Sequence, residues 1–237
     1  WKESSEVTVV EVDKIEIEAP DWDDVTGETI TLLKGTKYQF RAILFVAEDL
    51  KGRISGFAFV FHVPDINFIL LDFLSAAKYR TGRGIGSALY QRVREEAMLL
   101  NSIGIFFESL PDDPKLCKDP QLLQQNKERL RFYEKYGARP IINTKYETPL
   151  SPDEDNPPYL VYDDLGRNVP LSKDHARAIV RVILERKYKK LCPKEYIDMV
   201  VNSFQDDPVK LRPRKYFKKE QSTSIEVTIP KEDRIVL

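Results

Sequence analysis

The segment between Tyr79 and Leu89 places three glycines, Gly82, Gly84 and Gly86, at alternate positions. Glycines let the backbone turn tightly and leave N–H groups free to point at an anion. A helix predicted directly after the loop would add the positive end of its dipole. We therefore predict a pyrophosphate site and assign it to Thr81, Gly82, Arg83, Gly84, Ile85, Gly86 and Ser87.

The glycine loop alone does not identify the phosphate ligand. A Walker loop requires Gly-Lys-Ser/Thr, which is absent. A Rossmann fingerprint fits better, because Gly82 and Gly84 match its first two glycines and Glu108 ends the next predicted strand. The third glycine would fall at Ser87, however. A Rossmann unit also opens a βαβ series, whereas the predicted strand before this loop closes an antiparallel meander. An NADP-binding Rossmann-type domain is therefore the remote alternative.

Two carboxylates near the loop are candidates for a general base. Asp72 is a lone carboxylate in an apolar segment, where burial would raise its pKa toward a working range. Glu108 ends the next predicted strand. The competing interpretations are a salt bridge for Asp72 and a solvated strand end for Glu108.

The elements that position these residues follow from the hydrophobic pattern. Residues 38–48, 53–63 and 66–76 predict three strands, and the short link between the first two favours antiparallel pairing. The period then changes, and apolar residues every three to four positions predict a helix over about 85–101. A short buried strand is predicted over 103–108.

The second half of this unit begins with another helix. Asp119 before Pro120 is a strong helix start, and Gly137 is a typical helix end. Strands are predicted over 138–143 and 159–163.

Both ends of the chain lie outside this pattern. Residues 6–18 alternate apolar and charged side chains and predict a half-exposed strand. Residues 172–191 and 193–204 predict two further helices. The basic run 212–219 is interpreted as a charged linker or as a site for an acidic partner.

The composition is that of an ordinary globular protein: 237 residues, 42% hydrophobic and 32% charged, with a net charge of -1. This balance argues against nucleic acid as a partner, and no apolar run reaches the length of a membrane span. Cys117, Cys192, His62 and His175 form no metal-site pattern, so no metal is expected. We expect reduced thiols and a cytoplasmic protein. Because the chain starts at Trp1 rather than Met, we expect a fragment or a processed form.

The order of elements and the glycine loop resemble the GNAT acetyltransferase superfamily. The family loop reads Gln/Arg-x-x-Gly-x-Gly/Ala, and Gly84 and Gly86 match its two small positions. Thr81 stands where the family usually has Gln or Arg.

A second block, residues 126–138, supports the same resemblance. The family usually shows Asn, then a small or apolar residue, an aromatic-Tyr pair and a closing Gly with an aromatic. Here Asn126, Leu130 and Tyr133 share one predicted helix face, and Ala138 replaces the aromatic after Gly137.

The resemblance implies an α+β fold with an antiparallel meander, then βαβ, and a splayed cofactor cleft in a mixed sheet. It covers about residues 38–165, the predicted acetyltransferase core. Residues 1–37 form a strand-rich N-terminal segment in this scheme, and 166–237 form a helical extension with a basic linker.

The same resemblance implies the cofactor and several site residues. The cofactor is acetyl-CoA, whose pantetheine would pair with Leu74, Ser75 and Ala76, with Asn126 as a further cofactor-binding residue. Tyr133 occupies the family position of the acid that protonates the leaving thiolate. Asp72, Glu108 or a water chain would deprotonate the attacking amine.

The acceptor is expected to be a primary amine: a lysine side chain, a polyamine or a small amine. Acidic residues 112–113, 153–155 and 163–164 are interpreted either as attractants for such a cation or as solvated loop charges. Thr81, Ala138 and the lack of an aligned base keep open a catalytically weak acetyl-CoA-binding sensor.

The tail resembles that of bacterial family members joined to a deacetylase-like domain. A covalently linked further domain and a homo-oligomer are both compatible with the sequence.

Overall fold

The computed structural model describes residues 6–11, 40–48, 51–76, 84–149, 157–188 and 191–217. The strands are β1 Glu6–Glu11, β2 Arg41–Glu48, β3 Ile54–Val63, β4 Phe68–Ala76, β5 Ile105–Ser109, β6 Arg139–Pro140 and β7 Tyr159–Asp163. The helices are α1 Ile85–Leu99, α2 Pro120–Glu134, α3 Lys173–Val182 and α4 Lys194–Asn202. The fold is therefore a mixed α+β fold, as predicted.

These strands form one sheet in the order β1-β2-β3-β4-β5-β7-β6. Strands β1 to β4 pair antiparallel, which confirms the predicted meander and adds β1 at its edge. Strand β5 runs parallel to β4 and antiparallel to β7. The crossover from β4 to β5 passes through α1, so the β4–α1–β5 unit is the βαβ part of the fold.

Strand β4 contains a bulge at Asp72. In the ladder with β3, Val60 pairs with Leu71 and Phe59 pairs with Phe73, so Asp72 lies opposite no residue of β3. A bulge bends its strand and changes which side chains face each side of the sheet. Leu71 and Leu74 therefore both contact the same core, although they are three positions apart and would lie on opposite faces of a regular strand.

Each face of the sheet carries a hydrophobic core. The core under α1 and α2 includes Phe45, Val60, Leu71, Leu89, Val93, Phe107, Leu130 and Tyr133. The core under α3 and α4 includes Phe68, Leu70, Phe106, Leu160, Ile179, Val200 and Phe204. The described helices of the predicted extension thus share a core with β4, β5 and β7. The division of the chain into domains with a boundary near residue 166 stays a prediction.

The helix predictions hold with one change. The Asp119 side chain accepts hydrogen bonds from the amides of Gln121 and Leu122, which confirms the predicted start of α2. Ser172 caps α3 in the same way. The single helix predicted over 172–191 is interrupted, because α3 ends at Val182 and a π-helical turn follows over Ile183–Lys187.

The strand predicted over 138–143 is wrong in length, because β6 contains only Arg139 and Pro140. Ile141 still donates its amide to the Leu160 carbonyl of β7 but lies outside the β6–β7 ladder, in an isolated bridge with Leu211, and Asn143 adopts a left-handed backbone with φ 64°. The chain therefore turns away from the sheet after two paired residues. The strand predicted from residue 66 begins at Phe68, because residues 64–67 form a turn.

The basic segment after α4 is anchored to the domain through Asp112, which is 1% exposed. The carboxylate pairs with Arg212 at 2.7 Å and Lys215 at 3.1 Å, and Tyr216 donates to it. Glu134 accepts the amides of Lys215, Tyr216 and Phe217. The described part of the basic run therefore binds acidic residues of its own chain.

Substituting Asp112→Asn tests this anchor. Burial raises the pKa of Asp112, but hydrogen bonds from Tyr216, Arg212 and Lys215 outweigh burial and hold the pKa below its ordinary value. A depressed pKa contributes stability above the unfolded-state pKa, and this contribution is lost as the pH falls through the folded-state pKa. Asp112→Asn should lower the free energy of unfolding by about 2 kcal/mol at pH 7. The difference in the free energy of unfolding between wild type and Asp112→Asn should shrink below pH 4. Urea denaturation at a series of pH values measures this difference.

Asp174→Asn, at an exposed position, is the control and should leave the free energy of unfolding nearly unchanged. A constant difference between wild type and Asp112→Asn from pH 7 to pH 2 would contradict the assigned ion pairs.

Candidate active site

The parallel strands β4 and β5 separate soon after they meet. Their ladder contains two residue pairs, Ile69 with Ile105 and Leu70 with Phe106. Strand β5 stays paired with β7 as far as Ser109, whereas β4 bends at the Asp72 bulge. A gap opens between them, and the edge of β4 from Asp72 to Ala76 makes no ladder with β5.

Helix α1 begins beside this gap with an open N-terminus. Gly84 precedes the helix with φ 84°, a conformation that favours glycine, and no side chain caps the first turn. The first turn contains no acidic residue. Since the first amides of a helix have no acceptor within it, they remain available for an anion.

The structure describes part of the predicted cofactor-binding set. Ile85, Gly86 and Ser87 form the first turn of α1, directly after Gly84. Leu74 and Ala76 pack against the core beneath α1, and Ser75 is exposed. Thr81, Gly82 and Arg83 lie outside the described residues.

Asn126 is buried within the protein. Its Nδ2 donates to the Pro111 carbonyl at 3.0 Å and approaches the Cys117 sulfur at 3.8 Å. Its Oδ1 is buried with no partner among the described residues. These contacts tie α2 to the loop after β5.

Tyr133 lies in an aromatic cluster next to the last β4–β5 pair. Its ring centroid is 4.2 Å from that of Phe107 and 5.0 Å from those of Tyr90 and Phe132. Burial raises the pKa of Tyr133 to about 12, so its hydroxyl keeps its proton at neutral pH. Asn126, Leu130 and Tyr133 are all buried on α2, which confirms their predicted common face.

Asp72 and Glu108 are brought together by a lysine. Lys187 Nζ lies 2.7 Å from Asp72 Oδ1 and 3.0 Å from Glu108 Oε2. The salt bridge considered for Asp72 is therefore present, and Glu108 is paired rather than solvated. The two candidate bases lie on the side of the gap that faces the C-terminal helices.

Glu108 has two further partners. The Tyr146 hydroxyl donates to its Oε1 at 2.8 Å, and the Tyr188 hydroxyl donates to its Oε2. The sequence analysis missed Lys187, Tyr146 and Tyr188, because no local pattern marks them. Lys187 and Tyr188 belong to a basic run in the predicted extension, and the fold carries that run to the gap.

The charge state of this cluster follows from its contacts. Burial lowers the pKa of Lys187, but the carboxylates of Glu108 and Asp72 outweigh burial and raise it well above its ordinary value. Lys187 is therefore an ammonium. Two carboxylates and one ammonium leave the cluster with one net negative charge.

Three of the acidic loop residues considered as attractants for a cation, Asp112, Asp163 and Asp164, are engaged by groups of the protein itself. Asp112 pairs with the C-terminal segment, and Asp163 is buried against Tyr90 and Arg94. Asp164 caps a turn through the amides of residues 166 and 168. For Asp112 and Asp163 the attractant interpretation is wrong, because their charges are buried and compensated. Residues 153–155 lie outside the described residues.

Residues 41–137 match the family model for an acetyltransferase (GNAT) domain. Residues 41–137 of this chain are therefore similar to a GNAT domain. None of the curated proteins matches the chain. The match includes both predicted blocks, the glycine loop and the helix from Asn126 to Gly137, and it ends before α3 and α4.

Solved acetyltransferase structures are similar to part of this chain. Nourseothricin acetyltransferase is 18% identical with a TM-score of 0.39, and the similarity covers 52% of this chain and 65% of that one. A Bacillus anthracis protein assigned as a streptothricin acetyltransferase, in complex with acetyl coenzyme A, is 21% identical, with a TM-score of 0.38 and coverage of 51% and 61%. PaiA N-acetyltransferase from Thermoplasma acidophilum, in complex with coenzyme A, is 13% identical, with a TM-score of 0.36 and coverage of 52% and 60%.

The strand topology also corrects the remote Rossmann alternative. A Rossmann unit opens with consecutive parallel strands, whereas β4 closes an antiparallel ladder and forms its one parallel pair with β5.

Among the described helices, none is both long enough and apolar enough to cross a bilayer.

Substituting Lys187→Met tests the charged cluster at the gap. Loss of the ammonium leaves two carboxylates close together, and the free energy of unfolding at pH 7 should fall by about 2 kcal/mol in urea denaturation. Because the pKa of Lys187 is raised, its ammonium contributes to the free energy of unfolding below the unfolded-state pKa. This contribution is lost as the pH rises through the folded-state pKa. The exposed Lys194→Met variant is the control. Equal stability of the two variants would contradict the cluster.

Proposed function

We propose that this chain transfers the acetyl group of acetyl-CoA to a primary amine. The observation that carries the proposal is the gap between β4 and β5 next to the uncapped start of α1. An open strand edge suits an amide-rich pantetheine, and free helix amides suit a pyrophosphate. The two features lie in consecutive elements, so one elongated ligand can contact both.

The residues present fit this cofactor. The edge of β4 at Leu74, Ser75 and Ala76 would hold the pantetheine, and the segment from Thr81 to Ser87 would hold the pyrophosphate. Bound acetyl-CoA supplies a thioester whose carbonyl carbon the amine attacks, so that an amide bond forms, the C–S bond breaks and CoA leaves.

The chain's own residues then move the protons. The attacking nitrogen must lose a proton, and Glu108 or Asp72 accepts it directly or through water. Tyr133 is the proton donor to the departing thiolate, and its raised pKa keeps the hydroxyl protonated at neutral pH. Phe107 comes directly after the last residue of β5 that pairs with β4, and its ring contacts the Tyr133 ring.

A second candidate function is an acetyl-CoA-binding sensor that does not transfer the acetyl group. The observation that favours it is the ion pairing of both candidate bases with Lys187. An acetyl-transfer assay over a panel of amines separates the two functions. Acetyl-CoA binding without transfer to any amine would support the sensor.

Gly86→Glu tests the pyrophosphate site with little risk to the fold. A Cβ at Gly86 would meet its nearest neighbour, a Leu74 methyl, at an ordinary 3.8 Å. A carboxylate in the first turn of a helix is itself stabilising. The variant should therefore keep its thermal stability, yet its affinity for acetyl-CoA in calorimetry should fall at least about tenfold through charge repulsion.

Gly86→Gln is the matched control, with similar size and no charge, and should lose less affinity than Gly86→Glu. Gly84 is a poorer test position, because its φ of 84° would strain any other residue. Unchanged acetyl-CoA affinity in Gly86→Glu would contradict a pyrophosphate site at the start of α1.

Tyr133→Phe tests the proton donor. Turnover with an accepted amine should fall about 100-fold, whereas the dissociation constant of acetyl-CoA should change little. Tyr162→Phe, which removes a hydroxyl that donates to the Ile103 carbonyl, is the control and should keep its turnover. Equal turnover of wild type and Tyr133→Phe would exclude the acid role.

A further inference from the structure

A cavity of about 140 Å³ lies beside Glu108, on the side of the sheet that faces α3 and α4. The loops on both sides of residues 150–156 form one wall through Tyr146, Thr148, Pro149, Pro157 and Pro158. The C-terminal helices form the other wall through Leu184, Tyr188, Leu191, Cys192 and Tyr196. Both walls lie beyond the residues that match the family model, whereas Glu108 lies within them.

The hydroxyls of the three tyrosines in this cavity are occupied by protein acceptors. Tyr146 and Tyr188 donate to Glu108, and Tyr196 donates to the Thr148 carbonyl at 2.8 Å. The ring faces and edges are therefore what the tyrosines offer to a ligand. Together with Leu184 and Leu191 they make a largely apolar lining.

Among the described residues that line the cavity, Glu108 is the one that carries a charge. It sits at the gap between β4 and β5, and with Asp72 and Lys187 it carries one net negative charge. Aromatic rings around a carboxylate favour an organic cation over an anion or a neutral polar ligand. One negative charge matches one ammonium group.

We infer that this cavity is the acceptor pocket, and that the acceptor is an amine with one cationic nitrogen and an apolar or aromatic body. This inference rests on the proposed function, since the nitrogen must reach an acetyl group in the gap. The ammonium binds at Glu108, next to the gap, and the body lies among the tyrosine rings and leucines. A second ammonium on the acceptor would lie among the tyrosine rings and leucines of the described lining.

The pocket also gives the C-terminal helices a role in specificity. Half of the lining comes from the π-helical turn, α4 and the link between them, which pack on the sheet through the second core. The chemistry of acetyl transfer would then lie in residues 41–137, and acceptor selection would depend in large part on residues 184–196.

The first test compares two amines on the full chain with acetyl-CoA. Phenethylamine should be acetylated with a kcat/KM at least about tenfold above that of 1,4-diaminobutane. Leu191→Glu puts a second carboxylate on the rim of the cavity at a position that is 63% exposed, so the fold should tolerate it. This variant should reverse or strongly reduce the preference, by about fivefold to tenfold.

Leu99→Glu is the matched control, because Leu99 is 73% exposed at the end of α1 and does not line the cavity. It should leave the preference unchanged. Two results would overturn the pocket assignment while leaving acetyl transfer intact. One is an equal preference in wild type, Leu191→Glu and Leu99→Glu. The other is better acetylation of 1,4-diaminobutane than of phenethylamine by the wild type.

The second test needs no catalysis. Cys192 lines the cavity and Cys117 lies elsewhere, buried against Asn126. Phenethylammonium should slow alkylation of Cys192 by N-ethylmaleimide and leave Cys117 unaffected, as measured by mass spectrometry. If acetyl-CoA fails to bind but Cys192 is protected, the proposed function fails and the cation pocket stands. Absence of protection at saturating phenethylammonium would overturn the pocket.

Discussion

The early end of the β4–β5 ladder is the constraint on which the rest of this structure depends. Two paired residues hold the parallel strands together, and the bulge at Asp72 then turns β4 away while β7 keeps β5 in place. The exposed strand edge and the gap are direct consequences of that geometry. The uncapped start of α1, the Tyr133 cluster and the Asp72–Lys187–Glu108 cluster all lie around this gap.

The sequence predicted the elements whose signals are local. The alternation in β2 to β4, the apolar stripe of α1 and the Asp119 cap of α2 each depend on a few neighbouring residues, and the structure agrees with them. The glycine loop and the Asn126 block predicted the family for the same reason. The bulge was not predictable, because it depends on the register between β3 and β4.

The site was less predictable than the fold. Asp72 and Glu108 were identified as candidates, but their common partner Lys187 comes from a π-helical turn more than a hundred residues after Asp72. Asp112 and Asp163 were interpreted as loop charges, and tertiary contacts with Arg212 and Arg94 bury both. In each case a long-range ion pair decides the role, and sequence periodicity carries no information about such pairs.

Hydrogen–deuterium exchange in the presence of acetyl-CoA tests the central claim most directly, because it reports on the gap itself. The account predicts slower exchange in peptides that cover residues 71–76 and 84–88, where the open strand edge and the free helix amides would gain hydrogen-bond partners. Peptides from α3, on the far side of the second core, should exchange at the same rate with and without the cofactor. Unchanged exchange over both segments at saturating acetyl-CoA would contradict the account.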